Sequence, residues 1–113
     1  MSKLFVYGTL KLTPHGVPHH LLADAVLIDS LAMVQGNLYD LGAFPGYKKG
    51  EGTVHGELYE IDNPYTWQRL DAYEGVPHLY QRIKVFTNDG QETYIYEYQG
   101  EPREEHRIVG GAW

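Results

Sequence analysis

Apolar and polar residues alternate most regularly between Thr53 and Ile61. Two sets of side chains alternate there: Val54, Gly56 and Leu58 against His55, Glu57 and Tyr59. A period of two places successive side chains on opposite faces of a strand, so this segment predicts a half-buried β-strand.

The strongest turn signal is Asn88-Asp89-Gly90, which separates the segments Tyr80–Thr87 and Glu92–Tyr98. Such a turn between two strand-like segments predicts a β-hairpin. The second strand carries three tyrosines on one face: Tyr94, Tyr96 and Tyr98. A face of this kind is usually an amphipathic sheet surface, and the alternative is that one of the tyrosines lines a pocket.

The first half of the chain predicts shorter and more interrupted elements. Leu4–Tyr7 is a short apolar segment and predicts a buried first strand. Val26–Leu41 predicts strand structure broken at Asp29-Ser30 and at Gly36. Ala43–Gly52 carries a proline and three glycines, and therefore predicts a loop.

Two helices are expected. The longer one opens at Asn63, a capping residue, with Pro64 at the first helical position. It runs to about Tyr73, where Gly75 is the natural stop. A shorter helix is expected at His19–Asp24.

These elements predict an α+β fold in which a small mixed β-barrel is flanked by short helices. The 113 residues fit a single domain over positions 1–113. Hydrophobic residues make up 42% of the chain and charged residues 21%, which is the balance of a folded protein rather than a disordered one.

Composition excludes several classes of function. The chain has no cysteine, which excludes disulfides, thiolate nucleophiles and sulfur-ligated zinc. The formal net charge of −6 argues against a nucleic-acid groove. No apolar segment approaches the ~20 residues of a membrane span, and the N-terminus enters a strand at once. We therefore expect a cytoplasmic protein with neither a nucleic-acid nor a membrane partner.

Glu74 is the first candidate for chemistry. Trp67, Leu70 and Glu74 are spaced as one helix face, so the carboxylate continues an apolar stripe. Burial and the negative end of the helix dipole both raise a carboxyl pKa, which suits a general base near neutral pH. The alternative is that the side chain turns outward where the helix ends.

The turn Tyr7-Gly8-Thr9-Leu10 follows the first strand directly. Glycine at a strand end allows backbone N–H groups to converge on a carboxylate or a developing oxyanion. The alternative is an ordinary tight turn. The phosphate-binding pattern G-x-x-x-x-G-K-[ST] is absent from the chain.

Four segments match known motifs in order along the chain. Phe5–Lys11 resembles the opening F-V-Y-G-[ST]-L-[KR], and Val54–Ile61 resembles the strand V-x-G-x-L-Y-x-[IL]. Leu70–Arg82 is similar to L-D-x-x-E-[GS]-x(4)-Y-x-R, and Ile108–Trp113 is weakly similar to I-x-S-G-D-W. Together the four segments resemble the gamma-glutamylcyclotransferase-like family, and the nearest subgroup by motif is the gamma-glutamylamine cyclotransferases with their short bacterial relatives.

The resemblance implies a small β-barrel enzyme that needs no cofactor or metal. It implies that the substrate's α-amine attacks its own γ-amide, releasing 5-oxoproline and an amine. Glu74 would be the acid/base, and Tyr7, Gly8, Thr9 and Leu10 would bind the glutamyl part. Tyr80 is a further pocket candidate. Arg82 either pairs with an acidic residue, which we favour, or binds a substrate carboxylate.

Some positions depart from the family pattern. His19 stands where asparagine is common, and Ala112 stands where aspartate is usual, so a substrate contact from that aspartate is lost. The cluster of His15, His19 and His20 allows a metal site, with a solvated loop as the alternative. The leaving amine is expected at the loops 12–20 and 43–52. The rival function is a non-catalytic module that binds a small molecule in the same pocket.

Overall fold

A computed structural model describes residues 2–8, 10–11, 16 and 19–113 of the chain. These residues form five strands and one α-helix, joined by turns and loops. The order is β1 (Ser2–Val6), β2 (Val26–Asp40), β3 (Pro45–Ile61), α1 (Pro64–Tyr73), β4 (Tyr80–Phe86) and β5 (Glu92–Tyr98). Single turns of 3-10 helix lie at His20–Leu22 and Glu104–His106. The predicted α+β class is confirmed.

The strands form one mixed sheet in the order β2-β3-β1-β5-β4. β1 is the central strand, antiparallel to β3 and parallel to β5. In the described part of the chain, β2 and the end of β4 meet at one isolated bridge between Val34 and Thr87. The mixed sheet is thus confirmed, whereas the closure of a full barrel is not shown.

The predicted hairpin is confirmed, with β4 ending one residue earlier than expected. Gly90 donates its backbone N–H to Thr87 O at 2.9 Å, and the Thr87 hydroxyl donates to the Asp89 carboxylate. These contacts close the turn that the sequence predicts.

The prediction of a loop over residues 43–52 is wrong for most of that segment. β3 begins at Pro45 and pairs with the second half of β2. Gly50 and Gly52 lie against the side chain of Asn37, whose Oδ1 accepts the Gly52 N–H at 3.2 Å. Backbone pairing with β2 therefore makes this segment a strand, although its side chains lack apolar alternation.

The predicted breaks in β2 are irregularities within one continuous strand. The register against β3 shifts between Leu27 and Asp29, between Asp29 and Ala32, and between Gln35 and Asn37. The polar and glycine positions that suggested strand ends thus mark bulges, which bend a strand without ending it.

The helix α1 has the predicted ends. Asn63 Oδ1 accepts the Tyr65 N–H at 2.9 Å, and Pro64 occupies the first turn. Gly75 ends the helix with a φ of +67°, a conformation that glycine adopts without a Cβ clash. The second predicted helix is reduced to the 3-10 turn His20–Leu22, which buries Leu22.

Two apolar clusters occupy the two faces of the central strands. Leu4 and Val6 belong to one cluster, whereas Phe5 and Tyr7 belong to the other. β1 is therefore buried on both faces, as expected of a short apolar first strand. Leu70 anchors α1 on the first cluster. In the described residues, no helix is long and apolar enough to cross a membrane.

Candidate functional site

A cavity of about 310 Å³ opens where the end of β1, the start of β3 and the end of α1 meet. It is lined by Phe5, Val6, Tyr7, Gly8, Leu10, Ala43, Phe44, Pro45, Tyr73, Glu74, Leu79, Tyr80 and Tyr96. The site residues predicted from the sequence are among them, except Thr9, which lies outside the described residues. The structure thus brings the predicted turn, Tyr80 and Glu74 to one cavity.

Glu74 occupies the end of α1, where its backbone N–H donates to Leu70 O at 2.9 Å. Leu70 is fully buried, and Trp67 and Glu74 are half-buried. The carboxylate therefore follows the apolar stripe of the helix into the cavity, and the alternative of an outward side chain is wrong.

Burial raises the pKa of Glu74 from 4.5 to about 7. The described lining residues include no lysine, arginine or histidine that could pair with the carboxylate. Transfer of the carboxylate from water into this apolar lining disfavours the charged form. Glu74 can consequently both accept and release a proton near neutral pH.

The turn after β1 is tight, because Lys11 donates its backbone N–H to Gly8 O at 3.0 Å. A Cβ at Gly8 would lie 2.8 Å from Pro45 Cγ, so only glycine allows the turn to approach the start of β3 this closely. Leu10 is buried in the first apolar cluster. The turn is thus a packed part of the cavity wall, and binding by its N–H groups remains a prediction.

Two phenols predicted for the site are hydrogen-bonded to backbone groups. The Tyr7 hydroxyl donates to Tyr96 O at 2.5 Å and accepts the Tyr47 N–H at 3.2 Å. The Tyr80 hydroxyl donates to Pro45 O at 2.5 Å. Burial raises the pKa of both phenols above the usual value, so both remain protonated at neutral pH.

Tyr96 is a wall residue that sequence reasoning did not single out. Its hydroxyl donates to Asp71 Oδ1 at 2.7 Å. The sequence left two possibilities for the three tyrosines of β5, a sheet surface or one tyrosine in a pocket, and Tyr96 takes the second. It is buried, and Tyr94 and Tyr98 pack around its cluster. The position of the three tyrosines on one strand face was the sequence signal. Alternation alone did not reveal that β5 lies between β1 and β4, where this face is buried.

Two roles were predicted for Arg82, pairing with an acidic residue or binding a substrate carboxylate, and the structure shows the pairing. Arg82 Nη2 lies 3.5 Å from Asp71 Oδ2. The guanidinium carbon lies 4.5 Å from the centroid of the Trp67 ring and 5.1 Å from that of Tyr94. This stacking holds the guanidinium beside Asp71, whose other carboxylate oxygen accepts the Tyr96 hydroxyl.

The outer part of the cavity is apolar. Phe44 and Ala43 lie on one side, and Leu79 and Tyr73, which are 39% and 48% exposed, lie at the mouth. Sequence reasoning assigned the leaving amine to residues 12–20 and 43–52 without naming Phe44, and it missed Leu79. Positions 12–15 and 17–18 of the first segment lie outside the described residues.

His19 contacts this rim. Its ring stacks on His20 with a centroid distance of 4.4 Å and meets the Tyr73 ring edge-on at 5.5 Å. Burial, followed by the neighbouring His20, lowers the pKa of His19. His15, the third histidine of the proposed metal cluster, lies outside the described residues.

Comparison with known proteins gives concordant matches. The family model described as gamma-glutamyl cyclotransferase, AIG2-like, matches residues 4–113. The Escherichia coli family protein YtfP is 35% identical over 111 residues, covering 98% of this chain and 95% of its own length. A Vibrio cholerae relative is 39% identical over 112 residues, covering 97% and 93%.

Solved structures agree with these matches. An AIG2-like protein from Mus musculus superposes with a TM-score of 0.76 at 25% identity, covering all of this chain and 88% of its own. The solution structure of Escherichia coli YtfP gives a TM-score of 0.73 at 36% identity. The fold and the order of the motifs are therefore shared along nearly the whole chain.

Proposed function

Because the chain belongs to the AIG2-like gamma-glutamyl cyclotransferase family, we propose that it is a cyclotransferase. Its substrate is a γ-glutamyl amine or γ-glutamyl amino acid, and its products are 5-oxoproline and the free amine. Glu74 is the general acid/base.

The reaction is an intramolecular acyl transfer. The α-nitrogen of the glutamyl group forms a bond to its γ-carbonyl carbon, and the bond from that carbon to the amide nitrogen breaks. Two protons leave the α-ammonium, and the departing nitrogen gains two when it leaves as an ammonium. Glu74 relays these protons, so bonds and protons balance without an enzyme nucleophile.

The observation that carries the proposal is the half-buried carboxyl of Glu74, with a pKa of about 7, in a cavity of about 310 Å³. A base whose pKa lies near the working pH serves equally as the acid of the second step. General acid–base catalysis contributes ~10²–10⁴-fold. The rest must come from holding the amine and the carbonyl in attack geometry.

Tyr7, Gly8, Thr9 and Leu10 are proposed to bind the glutamyl part. The α-carboxylate of the substrate is an anion, and the described lining supplies no cationic side chain for it. Positions 12–15 and 17–18 contain no lysine or arginine either. Backbone N–H groups of the turn are donors suited to an anion, and Tyr80 lines the cavity with them.

A product screen tests the function. Purified protein is incubated with γ-glutamyl ethylamide, γ-glutamyl phenethylamide, γ-glutamyl-alanine and γ-glutamyl-phenylalanine, and the mixtures are analysed by mass spectrometry. We expect 5-oxoproline and an equal amount of amine from at least one compound. Thermal stabilisation by these compounds without any 5-oxoproline would contradict the proposal and favour the binding module.

A further inference from the structure

Three buried phenols belong to residues of the cavity wall, and each donates its proton to another protein group. Tyr7 donates to Tyr96 O, Tyr80 donates to Pro45 O, and Tyr96 donates to Asp71 Oδ1. A phenol has a single proton, so each oxygen can offer only lone pairs to a molecule in the cavity. The side-chain oxygens of these phenols and of the Glu74 carboxylate are therefore acceptors, in contrast to the backbone N–H groups of the turn.

Among the described residues, the Tyr7 oxygen already accepts a hydrogen bond, whereas the oxygens of Tyr80 and Tyr96 accept none. The donor to Tyr7 is the Tyr47 N–H at 3.2 Å. The acceptor capacity of the Tyr96 oxygen is therefore available to a ligand. Tyr96 and Glu74 line the same cavity.

Tyr96 differs from Tyr80 in the group that accepts its proton, which is a carboxylate for Tyr96 and a backbone carbonyl for Tyr80. Asp71 accepts that proton at 2.7 Å through Oδ1, while its Oδ2 faces the Arg82 guanidinium at 3.5 Å. Hydrogen bonds to a carboxylate are stronger than those between neutral groups. The orientation of the Tyr96 hydroxyl is thereby fixed before any ligand enters.

The proposed function brings an ammonium group to this wall. An ammonium has three donors and no acceptor, so it needs several acceptors that carry no proton of their own on the facing side. Glu74 and Tyr96, whose oxygens are acceptors of this kind, both line the cavity.

On the basis of the proposed function, we propose that the Tyr96 oxygen accepts a hydrogen bond from the substrate's α-ammonium, and that Asp71 is a positioning residue which keeps the phenol proton turned away. The site thereby selects γ-glutamyl compounds with a free α-amine, and it holds that amine beside Glu74.

Paired ligands that differ only in the α-amine test this. L-glutamate and glutarate are titrated calorimetrically into the wild-type chain and into Tyr96→Phe, which keeps the ring and loses the oxygen. We expect the wild type to bind L-glutamate more tightly than glutarate, and Tyr96→Phe to reduce that preference roughly tenfold without weakening glutarate. Equal binding of the two ligands by the wild type, or binding of neither, overturns the proposal.

The matched control is Tyr94→Phe, because Tyr94 lies on the same strand outside the cavity lining. It should preserve the ligand preference. If Tyr94→Phe and Tyr96→Phe reduce the preference equally, or if Tyr96→Phe weakens both ligands equally, the oxygen has no contact with the amine and the proposal is wrong.

Asp71 is tested by two variants. Asp71→Ala removes the acceptor, so the phenol proton can turn into the cavity and the preference for L-glutamate should fall as in Tyr96→Phe. Asp71→Asn keeps an acceptor oxygen and should restore most of the preference. A purely structural role for Asp71 would instead weaken both ligands together in Asp71→Ala, and that result would contradict positioning.

Failure of this inference can be distinguished from failure of the proposed function. Turnover of γ-glutamyl ethylamide with no difference between L-glutamate and glutarate would overturn the role of Tyr96 alone. A chain that prefers L-glutamate in a Tyr96-dependent way but never forms 5-oxoproline would overturn the cyclotransferase alone.

Discussion

A carboxyl group with a pKa of about 7 has a consequence for the folded chain as well as for catalysis. Between about 4.5 and 7, the folded state keeps a proton on Glu74 that the unfolded state has already released. The folded state then binds more protons than the unfolded state. The free energy of unfolding must therefore fall as the pH rises through this window, and Glu74 destabilises the fold most above pH 7.

Glu74→Gln should consequently stabilise the chain in a pH-dependent way. The amide has the shape of the neutral acid and cannot ionise, so the melting temperature should exceed that of the wild type at pH 8. The gain should shrink towards pH 4.5, where the wild-type carboxyl is protonated. Thermal melts at both values measure this. An equal gain in melting temperature at the two pH values would show that ionisation of Glu74 does not destabilise the folded state.

At the scale of elements, the site depends on how closely the turn after β1 approaches the start of β3. The sequence signals the turn, the hairpin and both ends of α1, because glycine, proline and asparagine have local conformational preferences. It does not signal that β3 begins at Pro45, because Lys48, Lys49 and Glu51 show no apolar alternation. That strand is formed by pairing with β2, which no local pattern contains.

Gly8→Ala should impair the site while the fold persists. The new Cβ would meet Pro45 Cγ at 2.8 Å and push the turn away from β3. A misplacement on the order of 1 Å can cost ~10²-fold in rate, so we expect kcat/KM to fall at least tenfold.

The matched control is Gly110→Ala, where a Cβ meets nothing within 4 Å. It should keep the wild-type rate. Steady-state assays of 5-oxoproline release, with circular dichroism to check folding, compare the two variants. Wild-type kinetics in Gly8→Ala would show that the close approach is not needed for activity.

At the scale of the whole molecule, residues distant in sequence meet because β1 lies between β3 and β5. Tyr7 and Tyr96 are 89 positions apart, yet the hydroxyl of one bonds the carbonyl of the other. The resemblance to the family implied roles for the turn and for Glu74, and Tyr80 was a further pocket candidate. Neither identified Tyr96, Phe44 or Leu79. The quoted motifs do not reach Tyr96 or Phe44 and leave the position of Leu79 unspecified.

The two apolar clusters should contribute differently to stability and to activity. Leu58 and Leu70 are both fully buried, but Leu58 lies in the second cluster, whereas Leu70 anchors the helix that carries Glu74. Either residue changed to alanine should lower the free energy of unfolding by about 2–5 kcal/mol. Only Leu70→Ala should also lower kcat/KM at a temperature where both variants are folded.

Urea denaturation and steady-state assays compare these two variants. If Leu58→Ala loses kcat/KM as strongly as Leu70→Ala, the activity depends on the core as a whole rather than on the support of α1.

The most direct test of the central claim is the rate of 5-oxoproline release by Glu74→Gln. The matched control is Glu101→Gln, because Glu101 is an exposed glutamate outside the cavity lining. With the best substrate of the screen at pH 7.5, Glu101→Gln should match the wild type within about twofold. Glu74→Gln should stay folded and lose at least ~10²-fold in kcat, the contribution expected of general acid–base catalysis. A folded Glu74→Gln chain that releases 5-oxoproline at the wild-type rate would contradict the account.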